Sequence, residues 1–412
     1  MGNDKNKATR GRCVCYFAAF GTLMAVTWVT LNCAVVPWIW IGISGAILSV
    51  LLLLADHRRK KFIWFNAAFF FVVLTVLEVY GYHCWSGERQ IEYRWAPPRS
   101  SFFRPDQHLG YAMRENAQAR VQCVFRDQVV HEAVYTTDKQ GLRIAPPTPD
   151  PMSKECVLFM GCSITFGNGL NDQETAAYRL GMKTQGRYAI YNFGVGGYGA
   201  HQVYTQLDQG LVGRVIGSHR PRVIIYQAIL GHGVRAMGRA PWDRDGPRYI
   251  LDADGRLVHK GTFAHGEAIN GRKIWIAKKV SEAINRSFAV RQIRKDGLVA
   301  NPDSLKLHVA LVKSFRDTLQ QSYPECEFHV IFWDRKRHPS QYCRSFVRQL
   351  RALSIPVHEI VDILPGFSED MTPYECAPPY ETHPNALANE LLAEYILDSI
   401  LPQSEATVKP SF

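Results

Sequence analysis

Ser163 lies in MGCSITFGNG, Met160 to Gly169, where the apolar run VLFMG opens into a glycine-bounded loop. A hydroxyl at that place is either a helix cap or a nucleophile. A free serine is a very weak nucleophile, so the second option needs a base. His383, in YETHPNA, can take the hydroxyl proton. Its imidazole in turn needs an acid that orients it and stabilises its cation. Glu381 is the nearest carboxylate; Asp370 and Glu375 lie farther off, and a backbone carbonyl is another way to hold the ring. Donors must also face the oxyanion that develops on an attacked acyl carbon. The backbone N–H groups of Ser163 and Gly197 suit that task, because glycine lets the backbone come close to a ligand. The stretch LGHGVRA offers His232 as a side-chain donor and Arg235 as its support or as a binder of an anionic substrate. Thr165 and Asn192 join Arg235 as expected substrate-binding residues. This is nucleophilic acyl chemistry, and it asks for no metal and no cofactor.

Four loops must meet for these groups to work together. VLFMG, Val157 to Gly161, is a continuous apolar run, as expected of a strand buried on both faces of a parallel sheet. YAIYNFG ends a second strand at Gly194, RVIIYQAIL is a third, FHVIFW a fourth and PVHEIVDI a short fifth. Helices are expected near 174–184, over SLKLHVALVKSFRDTLQQ behind a cap at Asp303 or Ser304, and near 341–353. A last helix, PNALANELLAEYILDSI, has Pro384 in its first turn, where the missing N–H costs little. Alternating strands and helices imply an α/β fold with a parallel sheet covered on both faces. In such sheets ligands bind beyond the C-terminal strand ends, where Ser163, Gly197 and His232 fall.

Three stretches carry a family resemblance. GCSITFGNGLNDQET resembles the first block, GDSxTxG, of the SGNH (GDSL-type) hydrolases; YNFGVGGYGAHQ resembles the second; THPNALAN resembles the last, in which the catalytic His is followed by Pro and Asn. The resemblance spans about Val157 to Leu401, and YTTDKQGLR looks like the lead-in of membrane-anchored members. It implies a three-layer α/β/α, flavodoxin-like domain and a serine esterase. It also implies Ser163 as nucleophile and oxyanion donor, Gly197 as second donor and His383 as base. This chain departs from the pattern three times. Cys162 replaces the Asp before the serine, GHGV stands where an Asn donor is usual, and Tyr380 occupies the place of the acid. Hence His232 and Glu381 are the expected substitutes.

The chain has 412 residues and a net charge of +11. Its basic residues are spread out and no nucleic-acid signature occurs, so no nucleic-acid partner is expected. No charged residue occurs from Cys13 to Ala55, and a second apolar block follows Lys61. Three transmembrane helices are expected, at about 13–33, 35–55 and 62–83, within a membrane region 1–84. Lys and Arg before the first span and in DHRRKK after the second place those ends in the cytoplasm. The rest would then lie outside, periplasmic or extracellular, on a bacterial inner membrane. Residues 85–106 read as a linker, 107–150 as a small β-rich segment, and 151–404 as the hydrolase-like domain with an insert at 232–301. Ten cysteines form no metal-binding spacing, and an oxidising compartment would permit disulfides. The expected substrate is an acyl ester of a glycan or lipid, cleaved or transferred to a sugar hydroxyl. The alternative is a catalytically silent scaffold or glycan-binding part of a membrane assembly.

Overall fold

A computed structural model of the chain describes residues 43–50, 61–86, 91–146, 154–264, 287, 302–334 and 341–401. They fall into two units, one of residues 1–90 with 271–298 and one of residues 91–270 with 299–412. In the first, residues 43–50 are helical and α1 runs from Lys61 to Ser86. Among the described residues no helix is long and apolar enough to cross a membrane. The expected N-terminal transmembrane helices are therefore corrected. The uncharged run from Phe62 to Leu77 stops at Glu78, short of the roughly 20 apolar residues a span needs. Glu78 is fully buried and accepts a hydrogen bond from Ser287. The first two expected spans lie outside the described residues, apart from 43–50. The bilayer as partner, and the placement outside the cytoplasm derived from counting spans, lose this support.

The second unit opens with short antiparallel strands: β1 (Ile91–Ala96), β2 (Phe103–Asp106), β3 (Gly110–Met113), β4 (Gln118–Phe125) and β5 (Gln128–Thr136). Strands β1, β4 and β5 form one sheet in that order, and β2 pairs with β3. Residues 91–106, expected in a linker, thus contribute two strands. The partners of β1 lie 24 to 34 residues downstream (Ala96 with Arg120, Ile91 with Phe125), beyond what local pattern reveals. The small sheet shares its core with the loops after the next strands: Phe102, Met113, Val121 and Tyr135 pack with Phe166, Val195 and Tyr198.

The main sheet follows: β6 (Glu155–Gly161), α2 (Ser163–Phe166), α3 (Ala176–Lys183), β7 (Ala189–Asn192), α4 (Ala200–Asp208), α5 (Leu211–Ile216), β8 (Arg220–Ile229) and α6 (Gly231–Ala236). Then come the hairpin β9 (Pro247–Leu251) and β10 (Leu257–Thr262), α7 (Pro302–Ser322), β11 (Glu327–Trp333), α8 (Gln341–Ala352), β12 (Val357–Glu359) and α9 (Ile360–Ile363). The hairpin β13 (Glu375–Ala377) and β14 (Glu381–Pro384) leads into α10 (Ala386–Tyr395). The sheet is wholly parallel, in the order β12-β11-β8-β6-β7. Successive residues of β6 point to opposite faces. Cys156, Leu158 and Met160 join a core with α4, α5, α7 and α8, whereas Val157 and Phe159 join one with α3, α9 and α10. Two covered faces explain the unbroken apolar run. The chain reverses its direction of travel between β6 and β8, which opens a crevice at their C-terminal ends.

Candidate active site

Gly161 ends β6 at φ +152°, where a side chain would collide with Thr165 and with the Gln227 carbonyl. The tight exit delivers Ser163 to the first position of α2. Its Oγ lies 3.0 Å from His383 Nε2. On the other side of the ring, His383 Nδ1 lies 2.6 Å from Glu381 Oε1, which also accepts the His383 backbone N–H at 3.1 Å. Burial alone would raise the Glu381 carboxyl, but hydrogen bonds from the His383 ring and backbone and from Tyr93 outweigh it and hold the group below its ordinary value. An ionised carboxylate only accepts. Nδ1 of a neutral ring therefore carries the proton, and Nε2 offers its lone pair to the Ser163 hydroxyl.

The acid sits two residues before the histidine because both lie on strand β14, where alternate side chains share a face. Tyr380, at the place where an acid three residues before would stand, packs against Phe125 with the rings tilted and their centres 4.6 Å apart. Asp370 is engaged locally by Thr372.

Strand β7 supplies the second loop. Gly197 adopts φ +89°, and a Cβ there would lie 2.7 Å from Tyr111 Oη and 2.8 Å from Trp242 Nε1, so only glycine fits. Among the described residues, neither its N–H nor that of Ser163 donates to a protein acceptor. Trp242 Nε1 donates to the Gly197 carbonyl at 3.2 Å, and Tyr111 Oη to the Gly196 carbonyl at 2.9 Å. Trp242 is 56% exposed, yet its loop is anchored. The neighbouring Asp243 is buried between His201 Nε2 at 2.7 Å and Gln202 Nε2 at 2.8 Å on α4.

Other expected site residues stand differently. His232 has no exposed surface, and its Nδ1 meets Tyr226 Oη at 2.6 Å. Burial and the nearby Arg235 and His201 push its ring well below the ordinary imidazole range, so it is neutral. Its ring lies 6.2 Å from that of His308, and its buried Nε2 has no hydrogen-bond partner among the described residues. Arg235 donates to the Tyr198 carbonyl at 2.7 Å and lies 5.8 Å from the Trp242 ring centre, which braces the glycine loop. Thr165 and Asn192 are buried. Thr165 donates to the Met160 carbonyl at 3.3 Å, and Asn192 donates to the Thr165 carbonyl at 2.9 Å and accepts from the Gly194 N–H at 3.0 Å. These bonds staple the first two loops together. Cys162 is buried, and Cys123, Cys156, Cys162, Cys326, Cys343 and Cys376 are free thiols. No cluster able to hold a metal occurs among the described residues. A cavity of about 500 Å³ lies elsewhere, against Met237, Tyr249, Leu251 and Leu307, and includes none of the Ser163, Gly197 or His383 loops.

Sequence reading missed Tyr93, Trp242 and the Asp243 anchor. Their only local signals are aromatic residues in a basic, Pro-containing stretch and in an Arg-rich insert.

No family model matches the chain, and no curated protein matches it. Solved structures similar to it include a lipolytic protein of the G-D-S-L family from Desulfitobacterium hafniense DCB-2. That match has 12% identity and a TM-score of 0.34, over 58% of this chain and 95% of that one. An acetyl xylan esterase from Butyrivibrio proteoclasticus is similar at 11% identity and a TM-score of 0.30, over 70% of this chain and 71% of that one. A carbohydrate esterase whose active site has divergent catalytic and non-catalytic binding functions is similar at 11% identity and a TM-score of 0.32, over 76% of this chain and 99% of that one. Likenesses this distant do not carry an activity across.

Proposed function

We propose that this chain is an SGNH-type serine ester hydrolase acting on an O-acylated glycan. The observation that carries the reading is the relay from Ser163 through His383 to Glu381, with contacts of 3.0 and 2.6 Å. His383 Nε2 takes the Ser163 proton as Oγ attacks the acyl carbon. The Ser163 and Gly197 N–H groups receive the developing oxyanion. The histidine then protonates the leaving alcohol, and the acyl group stays on Ser163. Water activated by the same ring releases the acid. A sugar hydroxyl in place of water would make the reaction an acyl transfer. Glu381 orients the ring throughout and offsets its transient charge.

The exposed face of Trp242, fixed beside Gly197, supports a sugar rather than a flexible acyl chain as the group next to the scissile bond. Trp242→Ala should raise KM for acetylated oligosaccharides about three- to tenfold and leave turnover of p-nitrophenyl acetate within twofold. Steady-state kinetics on both substrates check this. Equal losses on both would place Trp242 in loop support instead.

A second reading is a glycan-binding domain whose serine is idle; it is favoured by the replacement of the usual Asn donor by His232, which is buried with its Nδ1 on Tyr226. Fluorophosphonate labelling of the full-length protein, with the adduct mapped by mass spectrometry, separates the two. An adduct on Ser163 supports the hydrolase; a folded protein that stays unlabelled supports the binder.

A further inference from the structure

We propose that Tyr111, on strand β3 ahead of the main sheet, is a positioning residue of the oxyanion hole: its hydroxyl holds the Gly196 carbonyl and so aims the Gly197 N–H. The proposal rests on the catalytic reading of Ser163 and Gly197.

The geometry of one turn carries it. The Tyr198 N–H donates to the Val195 carbonyl at 3.2 Å, which closes a turn with Gly196 and Gly197 at its centre. Gly197 has φ +89° while Gly196 has no positive φ, and this combination marks a type II turn. The Gly196 carbonyl and the Gly197 N–H are the two ends of its central peptide. That peptide is planar and trans, so the two groups point in opposite directions. Whatever fixes the carbonyl therefore fixes the donor. A type I turn closes with the same hydrogen bond but with the central peptide turned over, which would send the N–H to the other side. With glycine at both central positions, the backbone by itself discriminates weakly between the two.

Tyr111 makes the choice. Its Oη donates to the Gly196 carbonyl at 2.9 Å. The tyrosine is itself held: its carbonyl accepts from Tyr198 Oη at 2.6 Å, and the two rings meet edge to face at 5.2 Å. Strand β3 is thus tied to the residues on both sides of Gly197. The start of β3 is pinned as well. Gln202 Nε2 donates to the Leu109 carbonyl at 3.3 Å, and Gly110 lies so close to Gly246 that a Cβ would stand 2.7 Å from its backbone nitrogen. Burial pushes the Tyr111 phenol well above its ordinary range, so it remains a donor. A carbonyl that accepts a hydrogen bond also polarises its peptide, which makes the N–H at the other end a stronger donor. Trp242 and Arg235 hold the Gly197 and Tyr198 carbonyls, which belong to the next two peptides. Among the described residues, the Tyr111 bond alone acts on the peptide that carries the oxyanion donor.

The test uses the full-length chain. Tyr111→Phe keeps the ring and its packing and removes the hydroxyl. Its kcat on p-nitrophenyl acetate should fall about tenfold, part of the roughly 10²–10³-fold loss that follows outright removal of an oxyanion donor. KM should stay within twofold. A wild-type kcat overturns the proposal, and so does a loss that comes wholly as a rise in KM. A second readout follows the peptide itself. Gly196–Gly197 is the one Gly–Gly pair in the sequence, so a chain labelled with ¹³C-carbonyl, ¹⁵N-glycine has a single bonded ¹³C–¹⁵N peptide pair. Its carbonyl carbon should move upfield in Tyr111→Phe, because it loses a hydrogen bond; an unmoved carbon overturns the proposal. Phosphonylation of Ser163 should move the Gly197 amide proton downfield in wild type and less far in Tyr111→Phe; equal movement overturns the proposal. A wild-type protein that neither turns over the ester nor labels refutes the catalytic reading, and the carbonyl signal alone then decides whether Tyr111 sets the turn.

Discussion

Ser163→Ala should abolish fluorophosphonate labelling and lower ester turnover by about 10⁴-fold or more. The hydroxyl is the group that forms the covalent intermediate, and alanine leaves His383 nothing to deprotonate except water. His383→Ala should cost almost as much, since Oγ then loses the base 3.0 Å away. The double variant should be no worse than the single ones, because the two groups act as a unit and their losses do not add. The measurement is kcat/KM on an acetyl ester beside the labelling gel. Residual activity in each variant would come from the backbone donors and substrate binding. Turnover within tenfold of wild type in Ser163→Ala would reassign the nucleophile, and the neighbouring Cys162, buried and 3.8 Å from the Ser163 Oγ, would be examined next.

Arg143→Met should cost about 3 kcal/mol of stability, a large share of the roughly 5–15 kcal/mol that holds a protein folded. Arg143 is fully buried, and burial pulls its guanidinium down to about 10, so it is still charged at neutral pH. A buried charge survives only with compensation. Here Nε lies 2.8 Å from Asp172, and Nη2 donates to the Leu170 carbonyl at 2.7 Å and the Val134 carbonyl at 3.3 Å. The guanidinium carbon lies 4.5 and 4.6 Å from the ring centres of Tyr135 and Phe166, which meet each other edge to face at 5.0 Å. Nη1 is buried and has no hydrogen-bond partner among the described residues. Methionine fills part of the volume but leaves the Leu170 carbonyl and Asp172 without their cation. Asp172 is partly solvated, which keeps the cost near the lower end of the range for broken buried pairs. Chemical denaturation of both proteins, followed by far-UV circular dichroism, gives the difference. A loss under 1 kcal/mol would mean that water replaces the arginine. Leu170 and Phe166 belong to the loop that carries Ser163, so labelling should slow as well.

How far the sequence reaches is visible residue by residue. The period of apolar residues set the strands 157–161 and 327–333 and the helix after Asp303, because burial on both faces of a sheet or on one face of a helix leaves a local trace. Ser163, Gly197 and His383 were legible because the turns that carry them need particular residue types over a few positions. Glu381 stood out as the carboxylate nearest His383, and the strand that turns both to one face is seen only in the structure. The expected N-terminal spans show the weakness of composition alone: it places Glu78 in a helix but does not foresee its burial.

What only the tertiary structure decided are the meetings between distant segments. The strand order β12-β11-β8-β6-β7 brings residues 163 and 383 together, 220 positions apart. Packing turned His232, Thr165 and Asn192 inward, and it brought Tyr93, Trp242 and Arg143 to the site from stretches that look like linker, insert and lead-in. Local sequence encodes which face of an element is apolar. Which other element covers that face depends on the free energy of the whole assembled core, and no window of a few residues contains it.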